Sequence, residues 1–223
     1  MADDTRAAVL DLEIPEPGSV LIHRGHTLDL VDRMSTYDLL ATDPPYAFGS
    51  QGTDEHAISA TVVCALRESA HRLRRGGFAV VFAASSWRST AYMIEAVRGV
   101  LQPVRFGTWA KPVARSKVRT AGWAWASVNV IVMRRPGKST DAGRPVPELD
   151  YIVEAPVMNG RRAELPPRVA EWAVAPFATD GGIAFDPFAG TGALLTAAAN
   201  AGMRAVGIEI EGADSPLYVE EAS

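Results

Sequence analysis

The stretch IAFDPFAGTG, residues 183–192, joins an apolar run to a turn that contains two glycines. Ile183-Ala184-Phe185 predicts a buried strand, and the alanine-rich segment from Gly192 to Ala201 predicts a helix directly after the turn. A further strand is predicted over 204–209, with the sequence RAVGIE. This order of strand, turn, helix and strand favours an α/β protein, because parallel strands need a crossover helix between them.

The glycine turn has the properties of a nucleoside-binding site. Gly190 and Gly192 allow backbone N–H groups to approach a ligand closely, and a helix N-terminus favours a negative group there. Glu209 follows Gly192 by 17 residues, at the end of the next strand, where a carboxylate can accept hydrogen bonds from both ribose hydroxyls. The turn lacks the third glycine of the dinucleotide fingerprint and the Gly-Lys-Ser/Thr of a phosphate loop. A tight turn without a ligand is the alternative, and Glu209 disfavours it.

Outward from this unit, apolar strands alternate with segments of helical periodicity. Strands are predicted over 20–22, 37–42, 78–82, 103–109 and 128–133, and helices over 56–74 (stopping at Gly76-Gly77), 87–101 and 166–177. The strands over 103–109 and 128–133 are expected to pair as a hairpin. Residues 136–160 predict a loop because they are rich in proline, glycine and charge, and the acidic tail after Glu211 is expected to be loosely held. The prediction is an α/β fold with a mostly parallel twisted sheet and an antiparallel hairpin, in a single domain spanning 1–223.

A second motif, Asp43-Pro44-Pro45-Tyr46, follows the apolar strand predicted over 37–42. The two prolines remove two backbone donors and stiffen the turn, which leaves carbonyl oxygens free to accept hydrogen bonds. A carboxylate, a free carbonyl and an aromatic face can together hold a planar base whose amino group needs two acceptors. The alternative is a rigid loop in which Tyr46 packs on the core. The glycine-containing segment 47–56 predicts a mobile loop over this site.

Together the two motifs resemble those of the DNA amino-methyltransferase family, which makes N6-methyladenine or N4-methylcytosine with S-adenosyl-L-methionine as cofactor. The Asp43 motif precedes the glycine turn, which is similar to the circularly permuted, beta-class arrangement of that family. The resemblance covers the chain from about Ser19 to Glu211 and implies a Rossmann-like methyltransferase fold. Residues 136–160 stand where larger relatives have a target-recognition domain. This short insertion implies a short or loose target site, or specificity supplied by a homodimer or a partner protein.

The resemblance also implies a role for each motif residue. Asp43 and the Pro44 carbonyl would accept hydrogen bonds from the target amino group, within a turn stiffened by Pro45. Tyr46 would stack on a base that has been flipped out of duplex DNA or is presented by a single strand. The implied cofactor-binding residues are Asp186, Pro187, Phe188, Gly190, Thr191 and Gly192, with Glu209 at the ribose and His26 on the adenine side.

The net charge of −4 is unevenly distributed along the chain. Residues 105–168 contain 12 basic and 5 acidic residues, a net charge of +7, whereas the rest of the chain contains 10 basic and 21 acidic residues. The basic segment predicts a contact surface for nucleic-acid phosphates, and a solvated basic face is the alternative. Its tryptophans, Trp109, Trp123 and Trp125, suit either base stacking or core packing. The candidate phosphate contacts are Lys111, Arg115, Lys117 and Arg119.

Several classes of protein are disfavoured by composition. The single cysteine, Cys64, excludes an internal disulfide framework, and its position inside a predicted helix indicates a small core residue rather than the nucleophile of carbon-5 cytosine methylation. The four histidines have no metal-ligand spacing, so no metal is expected. The acidic N-terminus and the lack of a long apolar run predict a cytoplasmic protein that does not enter a membrane.

The Asp43 motif is compatible with more than one substrate class. Asp43 at the first motif position favours adenine N6 over cytosine N4 as the target, although both enzymes use related motifs. A methyltransferase for an RNA base or a protein amide is the first alternative, and amide methylation more often goes with asparagine at that position. The second alternative is a catalytically inactive nucleic-acid-binding subunit, which the intact Asp43 and glycine turn disfavour.

Overall fold

A computed structural model describes residues 11–45, 60–112, 126–138, 148–157, 164–210 and 218–220. The strands in these segments are β1 (Val20–Arg24), β2 (Tyr37–Thr42), β3 (Leu73–Ala84), β4 (Gln102–Ala110), β5 (Ser127–Arg134), β6 (Tyr151–Val153), β7 (Ile183–Asp186), β8 (Arg204–Glu209) and β9 (Tyr218–Glu220). The α-helices are α1 (Thr27–Leu30), α2 (Ala60–Arg72), α3 (Trp87–Ala96), α4 (Pro167–Val174) and α5 (Ala193–Asn200), and 3-10 turns occur at Val31–Arg33 and Ala175–Phe177. None of the helices in the described segments is long and apolar enough to cross a bilayer.

The strands form one sheet in the order β6-β4-β5-β3-β2-β7-β8-β1-β9. Strand β5 runs antiparallel to both of its neighbours, β3 and β4, and the other pairings are parallel. The hairpin of β4 and β5 pairs Trp109 with Val128 and Phe106 with Ile131. The predicted α/β class, the mostly parallel sheet and the antiparallel hairpin are therefore confirmed.

Helices cover both faces of the sheet, which explains why β2 is buried along its whole length. Successive side chains of a strand point to opposite faces. Leu40 packs in the same core cluster as Leu66 of α2, on what we call the first face. Leu39 and Ala41 pack with Leu195 of α5 on the second face. Helices α2 and α3 thus lie on the first face, and α4 and α5 lie on the second.

The predicted helix over 56–74 ends earlier than the glycines suggested. The described part of α2 ends at Arg72, and β3 begins at Leu73, which pairs with Tyr37. The glycines therefore lie inside a strand, where the pairing with β2 shifts register. A Cβ atom on Gly77 would lie 2.8 Å from the backbone oxygen of Asp38, so Gly77 permits a close backbone approach, and neither glycine stops the helix. In the sequence, a glycine that ends a helix cannot be told from a glycine inside a strand.

Two short strands lie where no strand was predicted. Strand β6 lies inside the predicted loop over 136–160, and β9 lies in the predicted loose tail and pairs with β1. The Thr108 N–H donates to the Asp150 carbonyl at 2.9 Å, and the Glu154 N–H donates to the Ala110 carbonyl at 3.1 Å. Each of these strands spans only three residues, so they depend on a long partner strand and carry no periodic pattern of their own.

Two smaller predictions also need correction. Helix α3 ends at Ala96 rather than near residue 101, and the chain then turns through Gly99, whose φ of +82° suits glycine. Cys64 was predicted as a core residue, but its side chain is exposed. The buried residues of α2 include Val62, Ala65 and Leu66, and Cys64 lies off the helix face that they define. The predicted loop over 47–56 lies outside the described residues.

Candidate active site

The two sequence motifs meet at the centre of the carboxyl edge of the sheet. Strands β2 and β7 are neighbours, and the chain leaves them toward opposite sides, to β3 after β2 and to β8 after β7. Ligands of open α/β sheets bind at such a switch point, beyond the carboxyl ends of the strands. Asp43 directly follows β2, and Asp186 is the last residue of β7.

Strand alternation directs both carboxylates toward the same face. Asp43 continues the side of β2 that carries Leu39 and Ala41, and Asp186 shares a side of β7 with Ala184. These three apolar residues belong to the second-face core. The acidic side chains therefore point toward the helices α4 and α5.

A cavity of about 210 Å³ lies between the two motifs. Asp43 contributes one wall, and residues around the glycine turn contribute the opposite one. The segment before α4 adds Glu164 and Leu165, which the sequence reasoning did not assign to the site. The lining residues are Asp43, Glu164, Leu165, Asp186, Phe188, Ala189, Gly190, Thr191, Ala193 and Leu194.

Asp186 lines this cavity and is buried. Burial raises the pKa of Asp186, the hydrogen bond from the Phe188 N–H lowers it, and the negative charges of Asp43 and Glu209 raise it, so that the pKa lies at about 7. The Phe188 N–H donates to Asp186 Oδ1 at 2.9 Å. The site therefore contains an acid that is half-ionised near neutral pH, and a cationic ligand would favour its ionised form.

The glycine turn is fixed to the neighbouring strand by Glu209. Gly190 and Gly192 have φ angles of +52° and +81°, a region that other residues rarely adopt. The Gly190 N–H donates to Glu209 Oε2 at 2.7 Å, and the Ala189 N–H donates to the Ile208 carbonyl at 3.0 Å. No heavy atom lies within 4 Å of where a Cβ atom on Gly190 would stand. The turn thus presents open space next to an acidic hydrogen-bond acceptor.

Gly207 was not predicted as part of the site, although the geometry depends on it. A Cβ atom at Gly207 would lie 2.5 Å from Leu195 Cδ1 and 2.7 Å from Ala189 Cβ. Strand β8 can therefore approach the glycine turn and α5 only because residue 207 has no side chain. The signal in the sequence is a glycine inside the apolar strand RAVGIE, which marks a close approach.

The loop after β1 closes the Glu209 side of the site. The Gly25 N–H donates to the Glu209 carbonyl at 2.9 Å. The hydroxyl of the buried Thr27 donates to the Pro187 carbonyl at 2.5 Å, so Pro187 anchors this loop to the glycine turn. The His26 ring accepts a hydrogen bond from the Leu28 N–H at 3.1 Å and caps the N-terminus of α1.

Lys111 lies close to the Asp43 motif, at the end of β4. Burial lowers the pKa of Lys111, and attraction to the Asp43 carboxylate partly offsets this. Its Nζ lies 4.5 Å from the centre of the Trp109 ring, within reach of a cation–π interaction. Trp109 itself is buried and donates from Nε1 to the Glu154 carbonyl at 2.9 Å. Trp109 is thus a core residue that supports Lys111, which lies at the site rather than on an outer face.

Some of the other predicted site residues lie within the described part of the chain, and some lie outside it. In the Asp43 motif, Pro44 is buried and Pro45 is exposed. In the glycine turn, Thr191 is exposed and Gly192 is the N-cap residue of α5. The predicted residues Tyr46, Arg115, Lys117 and Arg119 lie outside the described residues.

Of the known proteins compared with this chain, only solved structures match it. No family model matches the chain. No curated protein matches it either.

Three of the solved structures illustrate the similarity. The M1.HpyAVI–SAM complex has a TM-score of 0.68 at 16% identity, over 86% of this chain and 94% of that chain. TTHA0409 from Thermus thermophilus, a candidate DNA modification methylase complexed with S-adenosyl-L-methionine, has a TM-score of 0.65 at 23% identity, over 86% and 88%. The cytosine-N4-specific PvuII DNA methyltransferase has a TM-score of 0.61 at 13% identity, over 89% and 86%. The chain therefore has the α/β fold found in S-adenosylmethionine-dependent methyltransferases.

Proposed function

We propose that this protein is an S-adenosylmethionine-dependent methyltransferase that modifies an exocyclic amino group of a DNA base, with adenine N6 preferred over cytosine N4. The observation that carries this proposal is that Asp43 and the glycine turn line the same cavity at the switch point of the sheet. The solved structures with the same fold include two complexes with this cofactor and one DNA methyltransferase.

The residues around the glycine turn suit this cofactor. S-adenosylmethionine carries a ribose, an ammonium group and a sulfonium group. Glu209 offers a carboxylate for the ribose hydroxyls beside the open space at Gly190. Asp186 and Glu164 place acidic groups on the cavity wall, where they would attract the cationic methionine end. We infer that these residues hold the cofactor, with Phe188 and Thr191 lining the same cavity.

The Asp43 motif would act on the target base. When bound, the cofactor supplies an electrophilic methyl group. Asp43 accepts a hydrogen bond from the amino N–H, and the Pro44 carbonyl accepts the second, which directs the nitrogen lone pair toward that methyl group. Asp43 or water takes up the proton that the nitrogen loses after transfer. Tyr46 is assigned the stacking contact with the base on sequence grounds. Lys111 stabilises the carboxylate of Asp43 by attraction.

The chain order supports the permuted arrangement. The Asp43 motif precedes the glycine turn in sequence, yet their strands β2 and β7 are adjacent in the sheet. The segment 136–160 contributes β6 to the edge of the sheet, and its length of 25 residues is short for a separate target-recognition domain. We therefore infer a short target sequence, or one selected with the help of a second copy or a partner protein.

Cofactor affinity is expected to increase as pH rises through about 7. Burial holds the pKa of Asp186 near this value, and a cationic methionine end favours the ionised carboxylate, so binding releases protons below that pH. Calorimetry between about pH 6 and pH 8, in two buffers with different ionisation enthalpies, measures both affinity and proton release. Asp186→Asn is the control variant and should remove the pH dependence. An affinity for the wild-type protein that does not change over this range would contradict the assignment.

Methyl incorporation from labelled cofactor into duplex DNA, single-stranded DNA, RNA and protein tests the proposed function. We expect incorporation into DNA. Incorporation confined to RNA or to protein would replace DNA with that substrate class. A protein that binds DNA but neither binds nor consumes the cofactor would instead be a non-catalytic subunit.

A further inference from the structure

The end of β3 and the neighbouring ends of β5 and β4 extend beyond the end of β2 at the carboxyl edge of the sheet, and we call this extension the wall. Thr42, which precedes Asp43, pairs with Val81 of β3. Strand β3 then continues for three more residues to Ala84, which at about 3.3 Å per residue adds about 10 Å of height. Ala84 pairs with Val128 of β5. Ser127, the first residue of β5, pairs with Ala110, the last residue of β4. A ligand that enters the cavity from the carboxyl edge would therefore pass beside this wall.

An exposed aromatic residue follows the wall in sequence, at the carboxyl edge of the sheet. Trp87 begins α3 and is 77% exposed, whereas tryptophan is among the side chains that proteins usually bury in large part. The guanidinium carbon of Arg88 lies 5.7 Å from the centre of the Trp87 ring, so the two side chains form an aromatic and cationic pair. We call them the rim pair.

The backbone that carries the rim pair is firmly held. Ser86 caps α3 by accepting a hydrogen bond from the Ser89 N–H at 3.1 Å. The Asn129 side-chain amide donates to the Thr90 hydroxyl at 3.1 Å, which ties the first turn of α3 to β5. Ser89 is fully buried. These contacts fix the position from which Trp87 faces solvent.

We propose that the rim pair is a second nucleic-acid contact, in which Trp87 stacks on a base next to the one held at Asp43 and Arg88 binds an adjoining phosphate. This inference rests on the proposed function. A base that leaves the helical stack exposes the faces of its neighbours, and an aromatic ring can cover such a face. The adjacent cation favours a polyanion over an apolar protein partner. Trp87 lies at the carboxyl edge of the sheet, the edge at which Asp43 and the glycine turn meet, and DNA bound across this edge would span both faces; this position distinguishes Trp87 from an isolated exposed apolar residue.

The test compares Trp87→Ala, Trp87→Phe and Arg88→Ala with the wild-type protein, using a duplex oligonucleotide that the wild type methylates. Phe106→Ala is the matched control, because Phe106 is 50% exposed but lies four residues before the end of β4. We expect Trp87→Ala to weaken DNA binding about tenfold or more, with cofactor affinity unchanged. Trp87→Phe should restore most of the binding. Arg88→Ala should reduce the slope of log affinity against log salt by about one.

The outcomes separate this inference from the function on which it rests. If Trp87→Ala binds and methylates the duplex as well as Phe106→Ala does, the rim pair is not a DNA contact, and the proposed function stands. If the wild-type protein neither methylates nor binds DNA, both proposals fail together. A melting curve for each variant, expected to match the wild type because both rim side chains are exposed, shows that the fold is intact.

Discussion

Replacement of Asp43 by alanine is expected to reduce methyl transfer by about a hundredfold or more, while cofactor affinity changes by only a few-fold. Asp43 lines the cavity next to the glycine turn, but its assigned role is to accept a hydrogen bond from the target amino group. Removal of this acceptor leaves the nitrogen lone pair undirected and removes a group that can take up the proton. Single-turnover rates with labelled cofactor, together with calorimetric cofactor binding, measure the two effects separately.

Two further variants show whether the effect of Asp43→Ala comes from the loss of this particular carboxylate. Asp43→Asn keeps the side-chain volume and one carbonyl oxygen, so its activity should lie between those of the wild type and Asp43→Ala. Asp32→Ala removes an exposed carboxylate that pairs with Arg72 at the protein surface, and its activity should match the wild type. Near-normal methyl transfer by Asp43→Ala would show that the reaction does not depend on the Asp43 carboxylate.

Substitution of Gly207 by alanine is expected to weaken cofactor binding by about tenfold or more and to destabilise the protein by about 1–3 kcal/mol. The new methyl group would stand 2.5 Å from Leu195 and 2.7 Å from Ala189, so β8 must move away from the glycine turn. That movement also displaces Glu209, whose side chain accepts a hydrogen bond from the Gly190 N–H. Urea unfolding gives the loss of stability, and calorimetry gives the loss of affinity.

Gly99→Ala provides the matched control for this prediction. Gly99 has a φ of +82° and no heavy atom near the position of a Cβ, so alanine there costs about 1–2 kcal/mol of backbone strain without touching the site. Cofactor affinity should be unchanged in this variant. Normal affinity in Gly207→Ala would mean that the close approach of β8 does not shape the cofactor site.

Local patterns were sufficient to predict the centre of the sheet. The apolar runs that became β2, β7 and β8 carry strong strand signals, and Asp43 and Asp186 follow from their positions at strand ends. Because parallel strands end at the same edge of a sheet, the two motifs could be placed near each other once their strands were recognised. The hairpin of β4 and β5 was predicted because two strand signals lie close together in the sequence.

Features that depend on contacts between residues far apart in the sequence could not be predicted from local patterns. The strands β6 and β9 exist because β4 and β1 offer unpaired edges, and three residues carry no periodicity. Gly76 and Gly77 look like a helix stop in sequence, whereas the fold uses them inside β3. Lys111 was predicted as a candidate phosphate contact, and its proximity to Asp43 depends on the sheet pairing and could not be predicted from the local sequence. Such placements are decided by tertiary packing, which local sequence does not encode.

The most direct test of the central claim is mass spectrometry of the nucleosides released from duplex DNA after incubation with the protein and isotopically labelled S-adenosylmethionine. We expect labelled N6-methyladenine, with N4-methylcytosine as the alternative product at the same type of amino group, and no labelled base with Asp43→Ala. Labelled 5-methylcytosine as the product, or cofactor binding without any labelled base in DNA, RNA or protein, would contradict amino-group methylation at the Asp43 motif.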